Sequence, residues 1–214
     1  MKIFLEIWKV VLEILFPSGR VERKVREMSL DDFLSLKRAD FDEKNGVWSL
    51  FSYGNPLVRE ALWQMKYRGS KKITGIFAEV IEEFLLEELS DLVLFENFER
   101  PVLVPIPMSQ KEKWERGFNQ SEMLVKEMMK IGKETHNCDL RALQKIKNTK
   151  RQVEVKRHER KQNVSGVFRA GKNLKGRNII LIDDVHTTGS TLNEAGKILK
   201  KAGAKKIFKL TLAH

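Results

Sequence analysis

The sequence predicts an α/β fold in which a mostly parallel sheet carries helices on both faces. From Pro101 onward, strand-like and helix-like patterns alternate along the chain, the order of successive right-handed strand-helix-strand crossovers. Within that order, Ile179 to Ile182 are consecutive apolar residues flanked by Asn178 and Asp183, as in a strand buried on both faces. A chain of 214 residues is long enough for one well-cored domain, or a domain with a small appendage. The expected division is an N-terminal helical appendage over 1–46 and the α/β domain over 47–214.

In chain order, "MKIFLEIWKVVLEILFPSG" opens with an amphipathic helix. Glu6, Lys9 and Glu13 interrupt it at helical spacing, while Ile3, Ile7, Val10, Val11, Ile14 and Leu15 share one face. It is shorter and more charged than a membrane span, which needs about 20 mostly apolar residues. We therefore read it as packing on the domain or a partner, with a membrane-surface role as the alternative. A polar, charge-mixed stretch follows to about Gly46, holding one short helix at "SLDDFLSLKRA" that Ser29 caps. "VWSLFSY" (47–53) alternates as a strand and stops at Gly54-Asn55-Pro56. "PLVREALWQMKYR" and "KKITGIFAEVIEEFLLEEL" place apolar residues at three- and four-residue intervals and read as helices. "PVLVPIP" (101–107) is a short buried strand, "NQSEMLVKEMMKIG" a helix, "CDLRALQKI" a strand and "RNIILIDD" a strong strand. "TLNEAGKILKKAG" is a helix ended by Gly203, and "KKIFKLTLA" a final strand.

Composition limits the partners. Forty basic against 29 acidic side chains give a formal charge of +11, which favours anionic ligands such as phosphates, nucleotides, nucleic acid or acidic membranes. Cys138 is the single cysteine, so an internal disulfide and a cysteine zinc cluster are both excluded, and a cytoplasmic location is expected. With that lone cysteine and four scattered histidines, neither a closed tetrahedral zinc site within the chain nor stoichiometric zinc in the purified protein is expected.

The chemistry concentrates in "NIILIDDVHTTGSTLNEAG" (178–196). Its strand delivers Asp183 and Asp184 to the carboxyl end of the sheet, where ligands of open α/β folds bind. The hydroxyls of Thr187, Thr188, Ser190 and Thr191, the close approach permitted by Gly189, and the free amides of a helix N-terminus suit a phosphate dianion. A carboxylate accepts hydrogen bonds from two vicinal sugar hydroxyls and holds water on a divalent metal. The pieces together describe a site for a 5-phosphorylated ribose. Taken singly, each has a structural reading: two acids that end a strand, a threonine that caps a helix.

The same stretch resembles the phosphoribosylpyrophosphate signature of type I phosphoribosyltransferases. The resemblance implies that Asp183 and Asp184 contact the ribose hydroxyls and that Val185 and Thr187 to Thr191 line the 5-phosphate site. His186 is read as an exposed turn residue without a catalytic role. "MKYRG" (65–69), "VPIPMSQKEKWERGFNQSE" (104–122) and "TKRQVEVKRHERKQNVSGVF" (149–168) look like the ComF family, over roughly Val47 to the C-terminus. Many members of that family begin with a cysteine-rich zinc module, and the corresponding region here has no cysteine.

The resemblance places diphosphate at the loop of Pro107, Met108 and Ser109, with Arg116 as a candidate catalytic cation and Asn119 and Gln120 as amide donors. Lys66 and Arg68 are further candidates. Packing of Trp114 and Phe118 around a solvated helix entry is the structural alternative. From Arg141 to Gln162, nine Lys or Arg face two Glu, a net of +7. A solvated face, nucleic-acid contact or a lid closing on a polyanion are the three readings of this run, and Lys150, Arg151 and Arg160 are its lid candidates.

The implied activity is a Mg²⁺-dependent transfer of phosphoribose from phosphoribosylpyrophosphate to a nitrogenous acceptor, with Mg²⁺ held through ligand and water rather than directly by side chains. The alternative is a non-catalytic module that senses phosphoribosylpyrophosphate or a nucleotide and acts in DNA uptake, through single-stranded DNA or a protein partner. The acceptor is expected to be chosen by an irregular hood before Pro101. Sequence leaves the acceptor and the oligomeric state open.

Overall fold

A computed structural model describes residues 19–132, 135–146, 166–171 and 174–214. The expected N-terminal amphipathic helix and the lid candidates Lys150, Arg151 and Arg160 lie outside the described residues.

The core is a five-stranded sheet of order β1-β7-β6-β2-β3, every neighbouring pair parallel. Its strands are β1 (Trp48–Phe51), β2 (Val102–Pro105), β3 (Asn137–Cys138), β6 (Asn178–Val185) and β7 (Lys206–Ala213). The strand expected at Ile179 to Ile182 is the middle one, and its alternate residues feed two different cores. Ile180 and Ile182 join Leu103, Leu210 and Leu212 on one face, under α1 (Gly19–Glu27), α2 (Leu30–Leu34), α3 (Pro56–Trp63), α4 (Lys71–Glu96) and α6 (Gln120–Ile131). Ile179 and Leu181 join Val102 and Val104 on the other. There α7 (Ser190–Lys201) buries Leu192, Ala195 and Leu199, beside an antiparallel pair, β4 (Leu143–Lys145) and β5 (Phe168–Ala170). A short α5 (Gln110–Arg116) follows β2.

Three elements depart from the sequence reading. "CDLRALQKI" is two strands of different sheets, because Asp139 Oδ1 accepts from the Arg141 N–H at 2.9 Å and turns the chain between them. Helix α1 arises inside the stretch read as polar and charge-mixed: Val21, Val25 and Met28 fall on one face and pack into the core that also holds Phe33, whose ring meets Phe77 edge-on at 5.3 Å. The segment "PLVREALWQMKYR" does not continue as one α-helix. After Trp63 it widens into a π-helical turn, Gln64–Arg68, closed when the Gly69 N–H bonds the Gln64 carbonyl. Gly69 takes φ 59°, which a side chain strains, and a Cβ there would also meet the Phe118 ring at 3.3 Å.

Candidate functional site

The π turn aims Lys66 at the carboxyl end of β6, where its Nζ lies 3.0 Å from Asp184 Oδ2. Burial works against the ammonium charge, but the charge and hydrogen bond of Asp184, with Asp183 behind, hold Lys66 above the ordinary lysine value. The second acid faces a different neighbour. Asp183 Oδ1 accepts from Ser121 Oγ at 3.0 Å and from the Asp184 N–H at 2.9 Å. Burial first, and then the adjacent Asp184 carboxylate, push Asp183 up to about 7, outweighing those bonds and Lys66. The two adjacent acids are therefore unlike: one is salt-bridged, the other is disposed to carry a proton near neutrality. Sequence reasoning placed both acids at this edge but treated them as equivalent.

Residues of "ERGFNQ" build the site from behind. Asn119 caps α6 by accepting from the Ser121 and Glu122 N–H groups, and its Nδ2 donates to the Ile106 carbonyl at 3.0 Å. Gln120 Nε2 donates to the Lys66 carbonyl at 3.3 Å. Both are almost fully buried, Asn119 at 6% and Gln120 at 2% exposure, and these amide bonds tie α6 to the end of β2 and to the π turn. In the loop after β2, Pro107 has no N–H and the Ser109 N–H donates to Glu112 Oε2 at 2.8 Å, half of a capping box that starts α5. That commitment removes Ser109 from the donors expected there and leaves Met108 between them. Arg116, the last residue of α5, sits with its guanidinium 5.9 Å from the Tyr67 ring centroid, next to Lys66 in the chain. Arg68 instead pairs with Glu22 and covers Trp63 at 4.8 Å. Of the described part of the basic run, Lys145 is tied to Glu112 at 2.9 Å.

Thr187 to Thr191 form the turn from β6 into α7. Gly189 is the N-cap at φ 65°, and Thr188 Oγ1 and Ser190 Oγ are 2.8 Å apart. A glycine cap offers no side chain to the first-turn N–H groups of α7, which leaves them for an anion. The turn has a neighbour that the sequence did not point to. A Cβ on Gly189 would lie 2.6 Å from Asn45 Cγ, and Asn45 is held there by Asn193 Nδ2 at 2.7 Å and by Lys209, whose Nζ donates to the Asn45 carbonyl at 2.6 Å.

His186 overturns its expected exposure: it is 5% exposed. Its N–H donates to the Ala213 carbonyl at 3.1 Å, its Nε2 lies 3.1 Å from Ser49 Oγ, and its ring stacks on His214 with centroids 4.1 Å apart. Burial first, then His214, push its pKa down to about 4 against the pull of Asp42. No local pattern announces this, since every partner comes from a different strand or turn.

A parallel α/β sheet with paired acids and a glycine-capped hydroxyl turn at the end of its central strand defines a phosphoribosyltransferase-like protein. Residues 77–213 match the phosphoribosyl transferase domain family, and the chain belongs to that family. The chain's curated relatives include proteins named for competence and DNA utilization. It is 32% identical over 165 residues to competence protein ComFC of Bacillus subtilis, covering 77% of this chain and 62% of that protein. It is 34% identical over 104 residues to DNA utilization protein YhgH of Escherichia coli, covering 48% of this chain and 44% of that one. The chain thus spans between 44% and 62% of the length of these relatives. Among solved structures, an allosteric regulatory enzyme of purine biosynthesis aligns at 15% identity with a TM-score of 0.41, over 70% of this chain and 30% of that one. Among the described residues, no helix is long and apolar enough to cross a membrane.

Proposed function

We propose that the chain binds phosphoribosylpyrophosphate with Mg²⁺ between β6 and α7 and transfers its phosphoribosyl group to a nitrogenous acceptor. The observation that supports this best is the pairing of unlike acids, salt-bridged Asp184 and proton-prone Asp183, directly before an anion-ready helix start. In that reading, the first-turn amides of α7 with Thr187, Thr188, Ser190 and Thr191 hold the 5-phosphate, and Asp183 and Asp184 accept from the ribose hydroxyls. The oxygen-only donor set at this edge fits Mg²⁺ held through water, and that ion supplies charge neutralisation of the departing diphosphate. The C1–O bond breaks with its electron pair going to diphosphate, and an acceptor nitrogen forms the new bond to C1. Lys66, freed from Asp184 as ribose binds, and Arg116 would then face the leaving charge.

A second reading, binding without transfer, is favoured by the relatives named for competence and DNA utilization. In it the ligand state of the same site is passed to DNA or to a DNA-uptake partner. Calorimetry of phosphoribosylpyrophosphate with Mg²⁺ tests the shared site: Asp183→Asn with Asp184→Asn should abolish the binding heat, and unchanged affinity in a folded double variant refutes the assignment. Diphosphate release across a panel of nitrogenous bases separates transfer from binding alone.

A further inference from the structure

Asp42, His186 and His214 come together from three places: the turn before β1, the residue after β6 and the residue after β7. One ligand atom from each, a carboxylate oxygen or a ring nitrogen, lies within 4.8 Å of the others. The backbone of each is fixed by strand-type bonds. Asp42 N–H donates to the Val47 carbonyl at 3.0 Å, His186 N–H to Ala213 at 3.1 Å and His214 N–H to Phe51 at 3.2 Å, while the Tyr53 N–H donates to the His214 carbonyl at 2.8 Å.

Thr211 Oγ1 lies 2.8 Å from Ser49 Oγ, 3.3 Å from the Ala213 carbonyl and 3.4 Å from the Trp48 carbonyl, and Ser49 Oγ lies 3.1 Å from His186 Nε2. Nε2 of His186 is thus engaged by Ser49, while Nδ1 is buried and finds no hydrogen-bond partner among the described residues. When Ser49 accepts from Nε2–H, Nδ1 carries the lone pair that a metal ligand needs. On the neighbouring ring, His214 Nδ1 lies 3.3 Å from the His186 carbonyl, which takes its N–H and leaves Nε2 as the lone pair. Asp42 accepts from the Asn45 N–H at 3.2 Å on Oδ1 and from Asn45 Nδ2 at 2.7 Å on Oδ2, so each oxygen keeps a second lone pair.

We infer that Asp42, His186 and His214 form a binding site for a divalent transition-metal ion, Zn²⁺ or a relative, separate from the proposed phosphoribose site. Two imidazole nitrogens and one carboxylate oxygen favour such an ion over Mg²⁺. Each histidine already carries the outward hydrogen bond that sets the tautomer of a metal ligand, Ser49 for one and the His186 carbonyl for the other. Ligands at about 2.0 Å from a tetrahedral ion sit about 3.3 Å apart, so the triad contracts by at most about 1.5 Å, through a tilt of the two stacked rings. Three protein ligands leave a position for water, an open site and not a closed structural one. Because His186 directly precedes Thr187, a bound ion would tie the phosphate turn to the Asp42 turn and to the end of β7.

The test is equilibrium dialysis of the chelator-treated full chain against Zn²⁺, with a Co²⁺ titration followed by d–d absorption. We expect one ion per chain and a low-coordinate Co²⁺ spectrum. Asp42→Asn and His214→Gln, both at positions open to solvent on one side, should weaken binding about tenfold or more, and His186→Gln should do the same if it folds. Asp183→Asn with Asp184→Asn should leave the stoichiometry and spectrum intact, which keeps the outcome independent of the phosphoribose reading. Absence of binding, binding indifferent to Asp42→Asn and His214→Gln, or loss of the ion only in the Asp183/Asp184 variant would each overturn the site.

Discussion

Replacing Asp183 by asparagine should stabilise the protein at neutral pH while removing part of its proposed ligand site. The amide Oδ1 of the variant can still accept from Ser121 Oγ and the Asp184 N–H, so the substitution removes charge and keeps the bonds. In the folded chain the Asp183 pKa is raised from 3.8 to about 7. A raised acid binds its proton more tightly folded than unfolded, so its contribution to stability is fully present below about pH 4 and is lost as pH rises toward 7. Three pH units correspond to about 4 kcal/mol, and partial solvent access and relaxation around Lys66 reduce this to about 2 kcal/mol. For a chain of this size that is a melting-temperature gain of about 4–8 °C. Thermal unfolding of both proteins from pH 4 to pH 8 checks it: the curves should converge at the acid end and separate steadily above it. A gap that is constant with pH, or that favours the parent protein at pH 8, would falsify the assignment of a destabilising charge to Asp183.

Two further outcomes follow from the same site. Lys66→Met leaves Asp184 partly buried without its cation, and should cost about 1–3 kcal/mol in chemical denaturation and weaken anion binding; an unchanged midpoint would mean that the Lys66–Asp184 pair is solvent-screened. Gly189→Ala combines a positive φ with a 2.6 Å approach to Asn45 and should cost about 1–3 kcal/mol, only part of which Asn45→Gly restores, since relieving the contact leaves the backbone strain.

What was readable in the sequence was what repeats locally. Ile179 to Ile182 announce a two-sided strand because burial on both faces admits no polar alternate, and the apolar spacing of Leu192, Ala195 and Leu199 announces α7 in the same way. The π turn was not readable, because inserting one residue into a helical turn at Gln64–Arg68 leaves the apolar pattern nearly unchanged while rotating Lys66 toward Asp184. Helix α1 was hidden by charge: only Val21, Val25 and Met28 mark its buried side. At the site, the Asp pair and the hydroxyl turn were found from a contiguous motif. Ser121, Asn45 and the burial of His186 were not, since each depends on partners tens to more than a hundred residues away. For Asn119 and Gln120 sequence shows two amides but not that they will bond the Ile106 and Lys66 carbonyls.

The position of β1 bears on how the chain is made. Among the described residues this edge strand pairs only with β7, and the Ser49–Thr211 bond closes a separation of 162 residues. At a synthesis rate of about 5–20 residues per second, β1 emerges roughly 8–30 s before its partner exists. During that interval its apolar residues, with Phe33 and Phe77 waiting beside them, have helices to lean on but no sheet to join. The nascent chain therefore carries an unpaired sticky edge until β7 has been made, the condition under which a chaperone on the ribosome has most to contribute.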